Sequence, residues 1–108
     1  STVSGTTVTV DLATGGMFVL DLQGASGTIT TFTVSNVPAS TPYAITFTTK
    51  VIQGSTARQF DWDYISNVKW PSIPDAISAT DNAVDVYSFT TYDDGTTWYG
   101  EKEGEDIK

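Results

Sequence analysis

The chain has 108 residues, a formal charge of −8, and neither cysteine nor histidine. That length suits one domain and leaves little room for a second. The missing residue types exclude a disulfide framework, a thiolate metal site and the commonest proton shuttle and metal ligand, and the acidic balance argues against a nucleic-acid backbone or an anionic membrane as partner.

Ser1 to Gly5 is small and polar and reads as a tether ahead of the domain. Thr6 to Leu12 alternates, with Val8, Val10 and Leu12 on one parity, which predicts a half-buried strand. After the turn Ala13–Gly16, Met17-Phe18-Val19-Leu20 is apolar on both parities. One sandwich interior uses only one parity, so this strand is expected to be covered twice or to sit at a subunit contact. Thr28 to Ser35 is a third strand whose Ile29 is out of phase with Phe32 and Val34, and a bulge near Thr30-Thr31 would restore the phase. Asn36 to Pro42 is a loop, and Tyr43 to Ile52 is the longest alternating run, with Tyr43, Ile45 and Phe47 in phase.

Arg58 to Tyr64 alternates again, placing Phe60, Trp62 and Tyr64 opposite Gln59, Asp61 and Asp63. Val68-Lys69-Trp70 is a short strand, Pro71 to Asp75 an irregular connection, and Ala76 to Thr80 an extended stretch. The hairpin Ala83 to Gly100 turns at Asp93-Asp94-Gly95, where Gly and Asp tolerate positive φ. We expect this hairpin and the Trp62–Trp70 segment to seed the core. Residues 101–108, with their run of Glu, Asp and Lys, read as an acidic tail or linker. The domain therefore spans 6–100, flanked by 1–5 and 101–108. Short strands between Gly, Ser and Pro turns, without helical spacing, predict an all-β antiparallel sandwich of jelly-roll-like or related topology. No apolar run approaches the roughly 20 residues that span a bilayer. No signal peptide is visible and the chain does not begin with Met, so it is expected to be a piece of a longer protein.

Chemistry has few candidates. On one strand Asp61 and Asp63 would lie roughly 6 to 7 Å apart, near glycosidase spacing, but the same pair reads as a solvated strand face. Asp93-Asp94 could meet Ca²⁺, but turn geometry explains both. Lys50 or Lys69 could pair with a serine, yet neither stands in a motif. No enzyme, cofactor or metal site is expected. The aromatic residues carry two readings. Trp62, Trp70, Trp98, Tyr64, Tyr87, Tyr92 and Tyr99 could stack on sugar rings, or they could simply pack. Trp98 and Tyr99 point to opposite sides of a strand, so one is core and the other outward. The candidate ligand or interface residues are Tyr64, Trp70, Tyr92 and Tyr99; the candidate oligomer face is Met17, Phe18, Val19 and Leu20.

The succession FVLDL, VIQGSTARQFDW, NVKWP and VDVYSFTTYDDGTTWYG, over Val8 to Gly100, resembles a small β-domain of tailed-phage virion proteins, particularly structural or tail-fibre proteins of cyanophages and marine phages. Its most specific part is KWP with DGTTWYG; the stretch between them, SIPDAISATDN, has fewer glycines than the family pattern. The resemblance implies a non-enzymatic structural or adhesion module on a virion surface, often in fibres that assemble as homotrimers beside other virion proteins. A host-surface glycan is one partner for such a module. The alternatives are a capsid-decoration domain and a carbohydrate-binding module outside a virion.

Overall fold

A computed structural model describes residues 3–39, 44–72 and 76–107. Its strands are β1 (Val3–Ser4), β2 (Thr7–Asp11), β3 (Met17–Asp21), β4 (Thr31–Ser35), β5 (Ile45–Ile52), β6 (Val68–Lys69), β7 (Val84–Thr91) and β8 (Trp98–Ile107). They form a three-stranded sheet, β1-β2-β4, and a five-stranded sheet, β3-β5-β7-β8-β6. Packed face to face, the two sheets make the all-β sandwich that the alternation predicts. The pairing is mixed, however, and not the antiparallel jelly-roll-like arrangement expected: β2 with β4, β3 with β5 and β6 with β8 run parallel.

Local chemistry explains several boundaries. β2 and β3 both end in Asp-Leu. In each case the aspartate accepts the N–H two residues on, Asp11 from Ala13 at 2.9 Å and Asp21 from Gln23 at 3.0 Å, and caps a single 3-10 turn. The irregularity expected near Thr30-Thr31 is present. Both N–H groups donate to the Thr6 carbonyl, the two-on-one pattern of a bulge, and Ile29 and Phe32 are both buried. In the hairpin, Asp94 and Gly95 take positive φ, and Thr91 Oγ1 accepts the Gly95 N–H while donating to Asp93 Oδ1.

Other expectations are overturned. Val3 is buried and β1 pairs with β2, so the 1–5 tether is in part a strand. Arg58–Tyr64 is not a strand. Its backbone makes one isolated bridge, Phe60 with Ile29, and then turns because Asp61 takes the Tyr64 and Ile65 N–H groups on its carbonyl. Ala76–Thr80 forms no strand either, and the Gln59 side chain holds Ile77 there by both its N–H and its carbonyl. Residues 101–107 are no frayed tail; they continue β8 against β7 from Glu101 to Ile107. Tyr43, and 73–75 of the Pro71–Asp75 connection, lie outside the described residues.

The core is an aromatic column. Phe32, from the small sheet, meets Phe89 at 5.1 Å and Phe47 at 6.3 Å between centroids, and Trp62 at 6.2 Å. Trp98 is fully buried against Phe47, while Phe60 stacks on Trp62 at 4.7 Å. Truncating Trp98 leaves a void that close-packed neighbours fill only in part. Trp98→Ala should therefore cost about 3–5 kcal/mol, read as a lowered urea midpoint. An unchanged midpoint would contradict the packing.

One charge is built into the interior. The β7–β8 register shifts between Val84 and Tyr87, and buried Asp85 sits at the shift. Its carboxylate accepts the N–H of Asp106 in β8 at 2.8 Å, where the ladder is irregular, and the Ser78 N–H of the preceding connection at 2.9 Å. Burial pushes this carboxyl up; the hydrogen bonds from Asp106 and Ser78 and the charge of Lys102 outweigh it, and its pKa lies below the ordinary 3.8. A lowered folded-state pKa gives stability that is present above the ordinary value and lost as pH falls through the folded one. Asp85→Asn should cost about 1.5–3 kcal/mol of stability at neutral pH, read as a lowered urea midpoint, and flatten the loss of stability below pH 4. An acid limb as steep as that of the parent would show that other carboxylates carry it.

Candidate functional site

Strand alternation gives the five-stranded sheet an outer face away from the aromatic column. Across it the register sets Lys69 of β6 beside Tyr99 of β8, Tyr99 beside Thr90 of β7, and Thr90 beside Thr46 of β5. The two threonine hydroxyls share a hydrogen bond of 2.8 Å. Glu101 stands two residues beyond Tyr99 on the same strand and is exposed. Tyr92, just past the end of β7, brings its ring to 6.0 Å from that of Tyr99, with the planes 54° apart. Both rings are open to solvent, Tyr92 at 64% and Tyr99 at 48% exposure.

The inner wall comes from the chain leaving β6. Trp70 turns inward and packs edge-on against Trp62 at 4.8 Å, Phe89 at 5.7 Å and Tyr87 at 5.9 Å. Its ring lies directly over Gly100, where an added Cβ would stand 2.6 Å from the indole carbons. The absence of a side chain at 100 is thus what lets Trp70 seat. The indole Nε1 is buried without a hydrogen-bond partner. Lys69, Trp70, Pro71, Thr90, Tyr92, Tyr99, Gly100 and Glu101 together line one open groove.

Three of the four aromatic candidates, Trp70, Tyr92 and Tyr99, therefore converge. Tyr64 does not: it is 70% exposed on the turn that Asp61 initiates and is not among the groove's lining residues. Lys69, Thr90 and Glu101 complete the groove through register, which no single stretch of sequence displays. No protein-family model, curated protein or solved structure matches the chain.

The other candidates separate. The oligomer quartet splits by parity. Leu20 is buried and Phe18 packs edge-on against Phe47 at 5.9 Å, while Met17 and Val19 are exposed at 80% and 54%. Leu20 thus belongs to the sandwich core, and Phe18 packs half-buried against it. Met17, Phe18 and Val19 border a second open patch with Lys50, Val84, Val86 and Ile107. Asp61 and Asp63 share no strand, so the paired-carboxylate spacing does not arise. Asp93 is occupied by its turn: the Thr97 N–H and the Thr91 hydroxyl hold its carboxyl below the ordinary value. Among the described residues no group of three or more acidic side chains is placed to hold a metal ion. Strand neighbours of Lys50 are Val19 and Val86, and that of Lys69 is Tyr99, so neither lysine faces a serine across its ladder.

The groove's dependence on Gly100 is testable. Gly100→Ala should displace the Trp70 ring, costing about 1–3 kcal/mol for the overpacked contact and red-shifting tryptophan fluorescence. Wild-type fluorescence and stability in this variant would mean that the ring is not seated on Gly100.

Proposed function

We propose that this chain is a non-enzymatic adhesion module that binds carbohydrate in the groove around Tyr92 and Tyr99. The observation carrying the reading is the pair of solvent-open tyrosine rings, Tyr99 on β8 and Tyr92 just past β7, lining one groove with Lys69, Thr90 and Glu101. A pyranose has an apolar C–H face and a rim of hydroxyls. An aromatic face covers the first, while mixed donors and acceptors pair with the second. Because strand pairing holds the backbone of Lys69, Tyr99 and Thr90, binding orders side chains there but no backbone.

The setting we propose is a displayed fibre or another part of a phage virion surface. That rests on the resemblance of the KWP and DGTTWYG motifs; capsid decoration and a module outside a virion remain the competing settings. The same resemblance favours three copies. Met17 and Val19, apolar and outward on an edge strand, supply a face for self-association. The charge of −8 opposes association only modestly at physiological salt, where the screening length is about 8 Å.

A glycan microarray probed with the intact chain tests the binding reading. Binding should appear, and Tyr99→Ala should abolish it while leaving the thermal midpoint within a degree or two. Silence across the array, or signals indifferent to Tyr99→Ala, would overturn the reading. For self-association, Met17→Asp should shift sedimentation toward monomer; a monomeric parent protein at micromolar concentration would remove the trimer.

A further inference from the structure

We infer that the groove takes a neutral, soluble glycan and that Tyr92 and Tyr99 together contact a single pyranose ring of it. This rests on the carbohydrate reading above and narrows it by two independent observations.

The first is the angle. A crystalline polysaccharide offers a flat surface of coplanar sugar rings. Aromatic side chains that grip such a surface must be coplanar themselves. Tyr92 and Tyr99 are tilted by 54° with centroids 6.0 Å apart, so when one ring lies flat on such a surface the other meets it at a steep angle. The two planes form a V whose rings touch each other, so no sugar fits between them, and both keep an exposed face. Such a V suits one ring that comes from solvent, stacks on the exposed face of one tyrosine and meets the second at its edge. That is the arrangement of a chain end, a side branch or a twisted soluble chain.

The second is charge. Beside the V stand one cation, Lys69, and one carboxylate, Glu101, which balance locally. The turn that carries Tyr92 continues into Asp93 and Asp94, and the whole chain bears −8. A uronate, sulfated or sialylated chain would meet a repulsive field on approach and find a single lysine to offset it. A neutral sugar meets no such barrier. Its hydroxyls can accept from Lys69 and donate to Glu101, and Thr90 can do either.

The test uses isothermal titration and pull-down with the intact protein and three probe sets. These are neutral soluble polymers (dextran, mannan and galactan), acidic ones (alginate, polygalacturonate and heparin), and insoluble crystalline cellulose and chitin. The inference expects binding within the neutral set, changing less than twofold between 50 and 500 mM NaCl. Tyr92→Ala and Tyr99→Ala should each weaken it at least tenfold without altering the circular dichroism. Lys69→Ala should weaken it without creating salt dependence. Tyrosine-dependent binding to an acidic polymer that strengthens at low salt would overturn the neutral assignment, and retention on crystalline cellulose or chitin would overturn the single-ring assignment. The carbohydrate reading survives in both of those cases. No tyrosine-dependent binding to any probe set would remove that reading and this inference together.

Discussion

Phe32 is the contact on which the two sheets depend. It is the one ring that the three-stranded sheet sends into the aromatic column, and it touches Phe47, Phe60, Trp62 and Phe89. Phe47 and Phe89 come from the opposite sheet, and Phe60 and Trp62 from the connection between β5 and β6. Aromatic residues bury roughly 150–250 Å² apiece, so one junction of this kind gives a chain of 108 residues much of its available apolar burial. The same junction determines where the groove forms. Trp62 and Phe89 hold Trp70 from within, and Trp70 in turn closes the groove's inner wall over Gly100. The groove and the fold's stability therefore share a set of rings, the outermost of which face solvent.

Between β5 and β7 the described residues form one strand, the two-residue β6, and one isolated bridge at Phe60, and carboxamides take over much of the task of satisfying the backbone. Buried Gln53 donates to the Arg58 and Ser78 carbonyls and accepts from the Arg58 and Gly54 N–H groups. Gln59 pairs with both backbone groups of Ile77, Gln23 accepts the Ser55 N–H, and Asn67 donates to the Phe32 carbonyl. A side-chain amide carries the donor and acceptor of a peptide group, so each substitutes for a piece of missing sheet. Satisfied in this way, the irregular half of the molecule buries polar atoms without leaving them unpaired. The Trp70 Nε1 is the exception among the described residues, and it lies in the residue that lines the groove.

What could be read directly from the residues follows a physical division. Alternation located β2, β5 and the β7–β8 hairpin, because one face of each is buried and its period is therefore written in apolar residues. Trp98 and Tyr99 divided inward and outward as adjacent strand residues must. Alternation misled at Arg58–Tyr64, since Phe60 and Trp62 are buried by side-chain stacking and not by a ladder, and a turn follows at once. It was silent over 101–107, where most residues of β8 are exposed on both faces and only backbone pairing with β7 fixes the conformation. The parallel pairings were equally invisible, because strand direction leaves no mark on a two-residue period. The groove inherited that difficulty. Tyr92 and Tyr99 are near neighbours in the hairpin, but Lys69 reaches Tyr99 only through the parallel β6–β8 pair.

The mixed ladders also bear on the order in which the molecule assembles. Thr90 and Tyr99 meet across a short hairpin turn, whereas Thr7 with Thr31, Met17 with Thr48 and Val68 with Trp98 close long stretches of chain. Loop closure must be met before such distant pairings contribute, and it slows them. The topology thus favours a hairpin that forms early and parallel partners that dock afterwards. Both tyrosines arrive with the hairpin; the lysine and the tryptophan wall arrive with β6. The groove is accordingly half made at the outset and finished only when the sheet's last edge closes, which ties its completion to the slow end of folding.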